Sequence, residues 1–194
     1  MREEIKLQLE SLVGSKLNNI GRASNLFWLE LGERLSVVRR GRTIELSEYA
    51  LNIQCSWRIT KGNKIVVASR DFYSPSSDWN EVKEDFDWDV QGNNKFDEKI
   101  EYLMKSIKEP LTVEKIDSDE IGGLKVFLSK DFTLNVFPDS SEDGEYSEFW
   151  RFFTRGKDSF HFVVTGNGIE KDFNWEIHKN KNGTFIKYCF CFAT

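Results

Sequence analysis

Tyr49–Asp71 constrains the fold of this chain more than any other stretch. Tyr49, Leu51, Ile53, Cys55, Trp57 and Ile59 alternate with Ala50, Asn52, Gln54, Ser56 and Arg58 over eleven residues. Period two is the pattern of a strand with one buried face, because successive side chains of an extended backbone point to opposite sides. Trp57 and Cys55 are therefore expected inside and Arg58 on the other face. Lys61-Gly62-Asn63 predicts a turn, and Lys64–Ala68 a returning strand.

The remaining periodicities predict a mixed chain. Ile5, Leu9 and Leu12 recur at helical spacing before Gly14, and Phe96, Ile100, Leu103, Met104 and Ile107 share a helix face that Asn94 can cap and Pro110 follows. Between and after them lie short strands: 16–20, 26–31, 34–39 after a turn at Gly32-Glu33, 111–116, 124–129, 132–137, 149–154 and 159–165. Residues 172–194 read as a last hairpin turning at 179–183, its end Tyr188–Phe192 apolar on both faces and expected buried. Sixteen Phe, six Trp and five Tyr against three Pro favour strands. The fold class expected is α+β, antiparallel-sheet-rich.

The second half repeats the pattern of the first. Trp57-Arg58 before Gly62 resembles Trp150-Arg151 before Gly156, and Leu29, Leu31, Leu35 and Val37 lie 97 residues before Val126, Leu128, Phe132 and Leu134. Ile5, Leu9 and Leu12 lie 95 before Ile100, Met104 and Ile107. This predicts an internal duplication: a first helix/strand repeat (1–72), an acidic connecting loop (73–95), a second repeat (96–170) and a C-terminal hairpin or tail (171–194), in one cooperative unit.

Charge narrows the partners. A net charge of −5 argues against nucleic acid and anionic membranes and suits a basic partner. No apolar run reaches membrane-spanning length, Met1-Arg2-Glu3-Glu4 opens on charge, and Cys55, Cys189 and Cys191 show no framework spacing, so a reduced, cytoplasmic protein is expected. Asp78–Asp89 holds six acids and one Lys around Trp79, Phe86 and Trp88, and a second acidic loop runs from Asp139 to Glu148. Acids steer a cationic protein and aromatics anchor it once docked. The candidate partner-binding residues are Asp78, Trp79, Asp85, Asp87, Trp88, Asp89, Glu142, Asp143 and Glu145. Acidic loops also simply keep a strand-rich protein soluble.

Two ligand constellations compete with that reading. Asp87–Glu98 fits D-x-D-x-Q-G-x5-E, one substitution from a calcium loop, with Asp87, Asp89, Gln91, Asn93 and Glu98 as candidate ligands. Gln91 at the fifth position, Asn94 where an apolar residue packs, and Lys95 beside the cation oppose it; the plainer reading is an acidic loop entering a capped helix. Arg58, sharing a strand face with Asn52, Gln54 and Ser56, and Arg151 could grip a carboxylate or phosphate, or could be solvated or ion-paired to Asp71 or Glu148. His161 sits among apolar strand neighbours and reads as packed, with a ligand or catalytic role only if Arg151 and a carboxylate gather beside it. No other cofactor is indicated, and no nucleophile triad, phosphate loop or dinucleotide fingerprint is present.

Ala50–Ile59 resembles a group of small uncharacterised bacterial proteins that share an ALxIQCxWRI strand, a later WRFF segment and an HFVVTGxGIE ending, here Trp150–Phe153 and His161–Glu170. The resemblance covers most of residues 15–170 and stops at Glu170. Some such proteins are similar in size and acidity to immunity proteins that neutralise polymorphic toxins. It therefore implies a non-enzymatic binding protein docking a basic toxin domain. The alternatives are a small-ligand or calcium-binding domain and an enzyme of unrecognised class.

Overall fold

The computed structural model describes residues 1–39, 41–79, 85–142, 147–155, 159–172, 176–179 and 185–188. Helix α1 (Arg2–Leu9) runs into a 3-10 turn (Glu10–Leu12) and buries Ile5, Leu9 and Leu12. Helix α2 (Lys95–Ser106) starts at Asn94, whose side chain accepts a hydrogen bond from the Asp97 amide, as the cap signal predicts. It buries Phe96, Ile100 and Leu103, while Met104 and Ile107 are only partly buried. The inward stripe therefore aligns with Ile5, Leu9 and Leu12 one turn earlier than the 95-residue spacing places it.

The sheets are antiparallel. One has six strands in the order β1 (Leu17–Ala23), β2 (Leu26–Arg39), β3 (Arg42–Ile53), β9 (Glu148–Thr154), β10 (His161–Thr165), β11 (Gly168–Asp172). The other has five, in the order β5 (Lys64–Ala68), β4 (Ser56–Lys61), β8 (Phe132–Phe137), β7 (Leu124–Leu128), β6 (Val113–Ser118). β12 (Glu176–Lys179) pairs with β13 (Phe185–Tyr188) as a separate ribbon where the sequence predicts a hairpin; the turn and the apolar end at 189–192 lie outside the described residues. β11 crosses the expected boundary at residue 170.

Each meander of three strands is completed by the hairpin of the other half. β1-β2-β3 receives β9-β10, and β6-β7-β8 receives β4-β5. The crossover makes Tyr49–Ile59, expected as one strand, the end of β3 and the start of β4. The amides of Gln54 and Cys55 both donate to the Phe149 carbonyl, at 2.9 and 3.2 Å, which bends the chain out of one sheet and into the other. Alternation survives the bend, since Ile53, Cys55, Trp57 and Ile59 are all buried and Arg58 is exposed.

Gly32-Glu33, expected as a turn, make a bulge within the single 14-residue strand β2. Gly32 sits at φ +87, where a Cβ would lie 2.8 Å from the Tyr49 ring. Beyond it β2 and β3 continue as a ribbon, so Leu35 and Val37 face Leu46 and Ile44 on this extension and do not correspond to Phe132 and Leu134.

Both sheets and both helices feed one continuous core. Its aromatic centre stacks Trp57 on Phe27, with ring centroids 3.8 Å apart, and sets the edges of Phe72 and Phe96 against Trp57, each at 5.8 Å. Trp150 is fully buried and its indole N–H donates to the Gly122 carbonyl at 2.7 Å. Among the described residues no helix is long and apolar enough to cross a membrane.

Candidate functional site

Strand alternation presents a polar row on the outer face of the five-stranded sheet. Asp117, Lys125, Asn135, Arg58 and Ala68 are cross-strand neighbours on β6, β7, β8, β4 and β5. The next row is Lys115, Phe127, Thr133, Thr60 and Ile65. The middle residues of the two rows floor an open cavity of about 490 Å³ lined by Arg58, Thr60, Lys125, Phe127, Thr133 and Asn135, with Ile65 and the Gly62-Asn63 turn at its end.

The row carries uncompensated charge. Among the described residues neither Arg58 nor Lys125 forms an ion pair. Asp117, beside Lys125, is instead 3.4 Å from Arg2. Arg58 lies over the Phe137 ring at 4.9 Å and Lys115 over Phe127 at 5.4 Å. Asn135 is 9% exposed. Its amide makes no side-chain hydrogen bond among the described residues, and its polar atoms open to the cavity.

Arg58 was legible as a ligand candidate; its neighbours were not. Asn52, expected beside it, lies in the other sheet, paired in register with Arg151. Gln54 and Ser56 line a different cavity of about 270 Å³ with Cys55, Ser69, Phe72 and Asp139. Lys125, Asn135 and Thr133 come from the second half of the chain, and no local signal marked them.

Arg151 is committed. Its Nε donates to Glu148 Oε1 at 2.8 Å, a second guanidinium contact reaches Oε2, and Nη1 lies 3.2 Å from His161 Nδ1. The ion pair with Glu148 is the structural alternative foreseen from the sequence. His161 is 4% exposed and stacked on Phe153, rings 5.0 Å apart. The structure thus gathers His161, Arg151 and a carboxylate, but the carboxylate is held by the guanidinium.

The Asp87–Glu98 segment is wired to β1. Arg22, its side chain 2% exposed, donates from Nε and Nη2 to the two oxygens of Asp97, each at 2.9 Å. It also reaches Asp89 Oδ1 at 3.3 Å and the Asp89 and Val90 carbonyls at 3.2 Å. The hydrogen bond to Asp97 holds the guanidinium pKa above its ordinary value against the opposing effect of burial. Asp97 Oδ2 accepts the Gly92 amide at 2.8 Å, and Asn94 Nδ2 donates to the Trp88 carbonyl at 2.8 Å.

Those bonds account for the calcium-like spacing. Asp87 Oδ1 accepts the Asp89 amide, Asn93 Nδ2 donates to the Asp87 carbonyl, and Glu98 turns away to accept the Ser77 amide at 3.0 Å. Gln91 is exposed. Asp87, Asp89 and Glu98 do not converge, and among the described residues no three His, Cys, Asp or Glu side chains gather around one point.

The acidic surface is also partly engaged. Asp78, Asp85, Asp87, Asp89 and Glu142 are exposed, while Trp79 and Trp88 are half-buried, Trp79 edge-on to Phe86 at 5.7 Å and Trp88 edge-on to Tyr73 at 5.1 Å. Asp89 is spent on Arg22. Asp143 and Glu145 lie outside the described residues.

Cys55 offers no reactive thiol. Burial, then the nearby Asp139 carboxylate, push its pKa up to about 12. In the folded protein the thiol stays neutral, so this group's contribution to stability is complete below the ordinary thiol pKa and is lost as pH rises toward about 12. Iodoacetamide at pH 8 is expected to leave Cys55 unmodified in peptide mapping of the native protein and to label it in urea; labelling at equal rates in both would disprove its seclusion. Compared with protein-family models, curated proteins and solved structures, the chain matches none.

Proposed function

We propose that this protein is a non-enzymatic binding module that holds an anionic ligand on the open face of its five-stranded sheet. The supporting observation is the row Lys125–Asn135–Arg58: two cations without carboxylate partners flank an amide that opens to a concave surface. Cross-strand neighbours sit about 4.8 Å apart, so both long side chains can lean over Asn135 and converge on one anion. Titrating inorganic phosphate at constant ionic strength should move the amide resonances of Lys125, Asn135 and Arg58, and Arg58→Met with Lys125→Met should abolish those shifts. Phosphate shifts that persist in the double variant would remove the site from this face.

A second reading keeps the acidic aromatic surface as the dock for a basic protein, such as a toxin domain. Exposed Asp78 and Asp85 beside the half-buried Trp79–Phe86 pair favour it. Its test uses Asp78→Asn and Asp85→Asn, which should slow association with a cationic partner; Asp89 is unsuitable because it also holds Arg22.

The duplication remains part of this proposal. Strand order β1-β2-β3-β9-β10 becomes β6-β7-β8-β4-β5 when each strand is replaced by its counterpart. Arg58 pairs with Asn135 as Arg151 pairs with Asn52, and both first strands carry a register shift, at Leu17/Asn19 and at Val113/Lys115. Lys16 bridges Thr112, with Leu17 N to Leu111 O at 2.7 Å and Val113 N to Ser15 O at 2.9 Å, as expected on a pseudo-twofold axis. Leu29 precedes Val126 by 97 residues but Leu51 precedes Leu134 by 83, so the β2–β3 ribbon is a 14-residue extension of the first half. One anion site on one sheet then means that the halves diverged: Trp28 stands where Lys125 does, and Arg151 is neutralised by Glu148.

A further inference from the structure

Resting on the anion-site reading, we infer that the ligand is a phosphate monoester carried on a flat ring, of the kind presented by a nucleoside monophosphate or an aryl phosphate. Charge is the first reason. Two uncompensated cations share one cavity, and a monoester phosphate carries about −1.5 to −2 at pH 7, where a carboxylate or a phosphodiester brings −1. Donor geometry is the second. Arg58, Asn135 and Lys125 stand side by side on three neighbouring strands, and a guanidinium fork, an amide and an ammonium together suit the three terminal oxygens of a monoester better than the two of a carboxylate.

The adjoining row supplies the third reason. Phe127 and Ile65 stand at the two sides of the cavity with Thr133 and Thr60 between them. Ile65 is 58% exposed and the Phe127 ring is half-buried, steadied by Lys115. A bare phosphate over Asn135 would leave both apolar groups in water. A planar ring one row further along would cover them, with the threonine hydroxyls beneath its polar edge. The cavity of about 490 Å³ falls within the usual range for small-ligand sites, about 300–1,000 Å³.

The test is isothermal titration of the full chain with inorganic phosphate, ribose 5-phosphate, phenyl phosphate and adenosine 5′-monophosphate. Phenyl phosphate and adenosine 5′-monophosphate should bind about tenfold or more tightly than inorganic phosphate and ribose 5-phosphate, which carry no flat aromatic ring, the gain one stacked ring brings. Phe127→Ala should erase that gain and leave inorganic phosphate binding as it was, with an unchanged circular dichroism spectrum. Phenyl phosphate alone showing the gain identifies an aryl phosphate; the nucleotide showing it identifies a nucleoside phosphate. Equal affinity for all four probes, or a ring gain that survives Phe127→Ala, overturns the ring assignment while the anion site stands. Failure of every probe to bind overturns both.

Discussion

Replacing Arg22 with alanine is expected to cost about 3–5 kcal/mol of folding stability, the usual result of removing one partner of a buried ion pair. The Asp97 carboxylate, with its side chain 5% exposed, would be left without its bidentate partner, and the carbonyls of Ser24, Asp89 and Val90 would lose a donor. The damage would spread, because this one side chain ties β1 to the 87–92 turn and to the start of α2. Urea denaturation measures it. A joint Arg22→Met, Asp97→Leu replacement should recover part of the loss by removing the stranded charge, although the Gly92 amide still loses its acceptor. A loss under about 1 kcal/mol for Arg22→Ala would mean that water replaces the pair, as it does for surface ion pairs, and that the side chain is not enclosed as described.

Trp57→Ala should cost a similar amount, about 3–5 kcal/mol, for a different reason. The indole is 2% exposed and packed face-on against Phe27, with Phe72 and Phe96 edge-on. Its removal opens a cavity where both sheets and α2 meet, and three other aromatic rings lose contact atoms at once. Trp57→Phe should recover most of the loss by keeping the stack. Ile65→Ala, on the exposed β5, serves as the reference and should change stability by no more than about 0.5 kcal/mol. Domains of this kind have about 5–15 kcal/mol in hand, so combining Arg22→Ala with Trp57→Ala should leave little folded protein at 25 °C. A Trp57→Ala loss no larger than that of Ile65→Ala would show that the aromatic centre is not what joins the sheets.

Local pattern reported on local structure. Alternation from Leu51 to Ile59 named the buried face correctly through a bend it did not reveal, because a strand that changes sheets keeps the same side toward the core; at the start Tyr49 is only half-buried and Ala50, on the other face, is buried. Asn94 was readable as a cap and Lys61-Gly62-Asn63 as a turn, since each acts within a few residues. Gly32 signals a turn in the sequence and makes a bulge in the fold, because a glycine at positive φ serves both alike and only the length of pairing beyond it tells them apart. Of the D-x-D-x-Q-G acids, Asp89 pairs with Arg22, 67 residues upstream, where no motif points.

By itself the sequence determined most of the inward-facing residues, the cap of α2 at Asn94, and a rhythm shared by its halves; these depend on periods of 2 and 3.6 residues and on short-range hydrogen bonds. Tertiary structure alone decided who stands beside whom. Arg58 gained Asn135 and Lys125, and Arg151 gained Asn52 and Glu148, because each half completes the other's sheet. Two arginines in near-identical local contexts thereby acquired different surroundings, Arg58 resting over the Phe137 ring without an ion pair and Arg151 neutralised by Glu148. Periodicity fixes the direction of a side chain but not the strand that will lie alongside it. That choice rests on burying the apolar faces of both halves in one core.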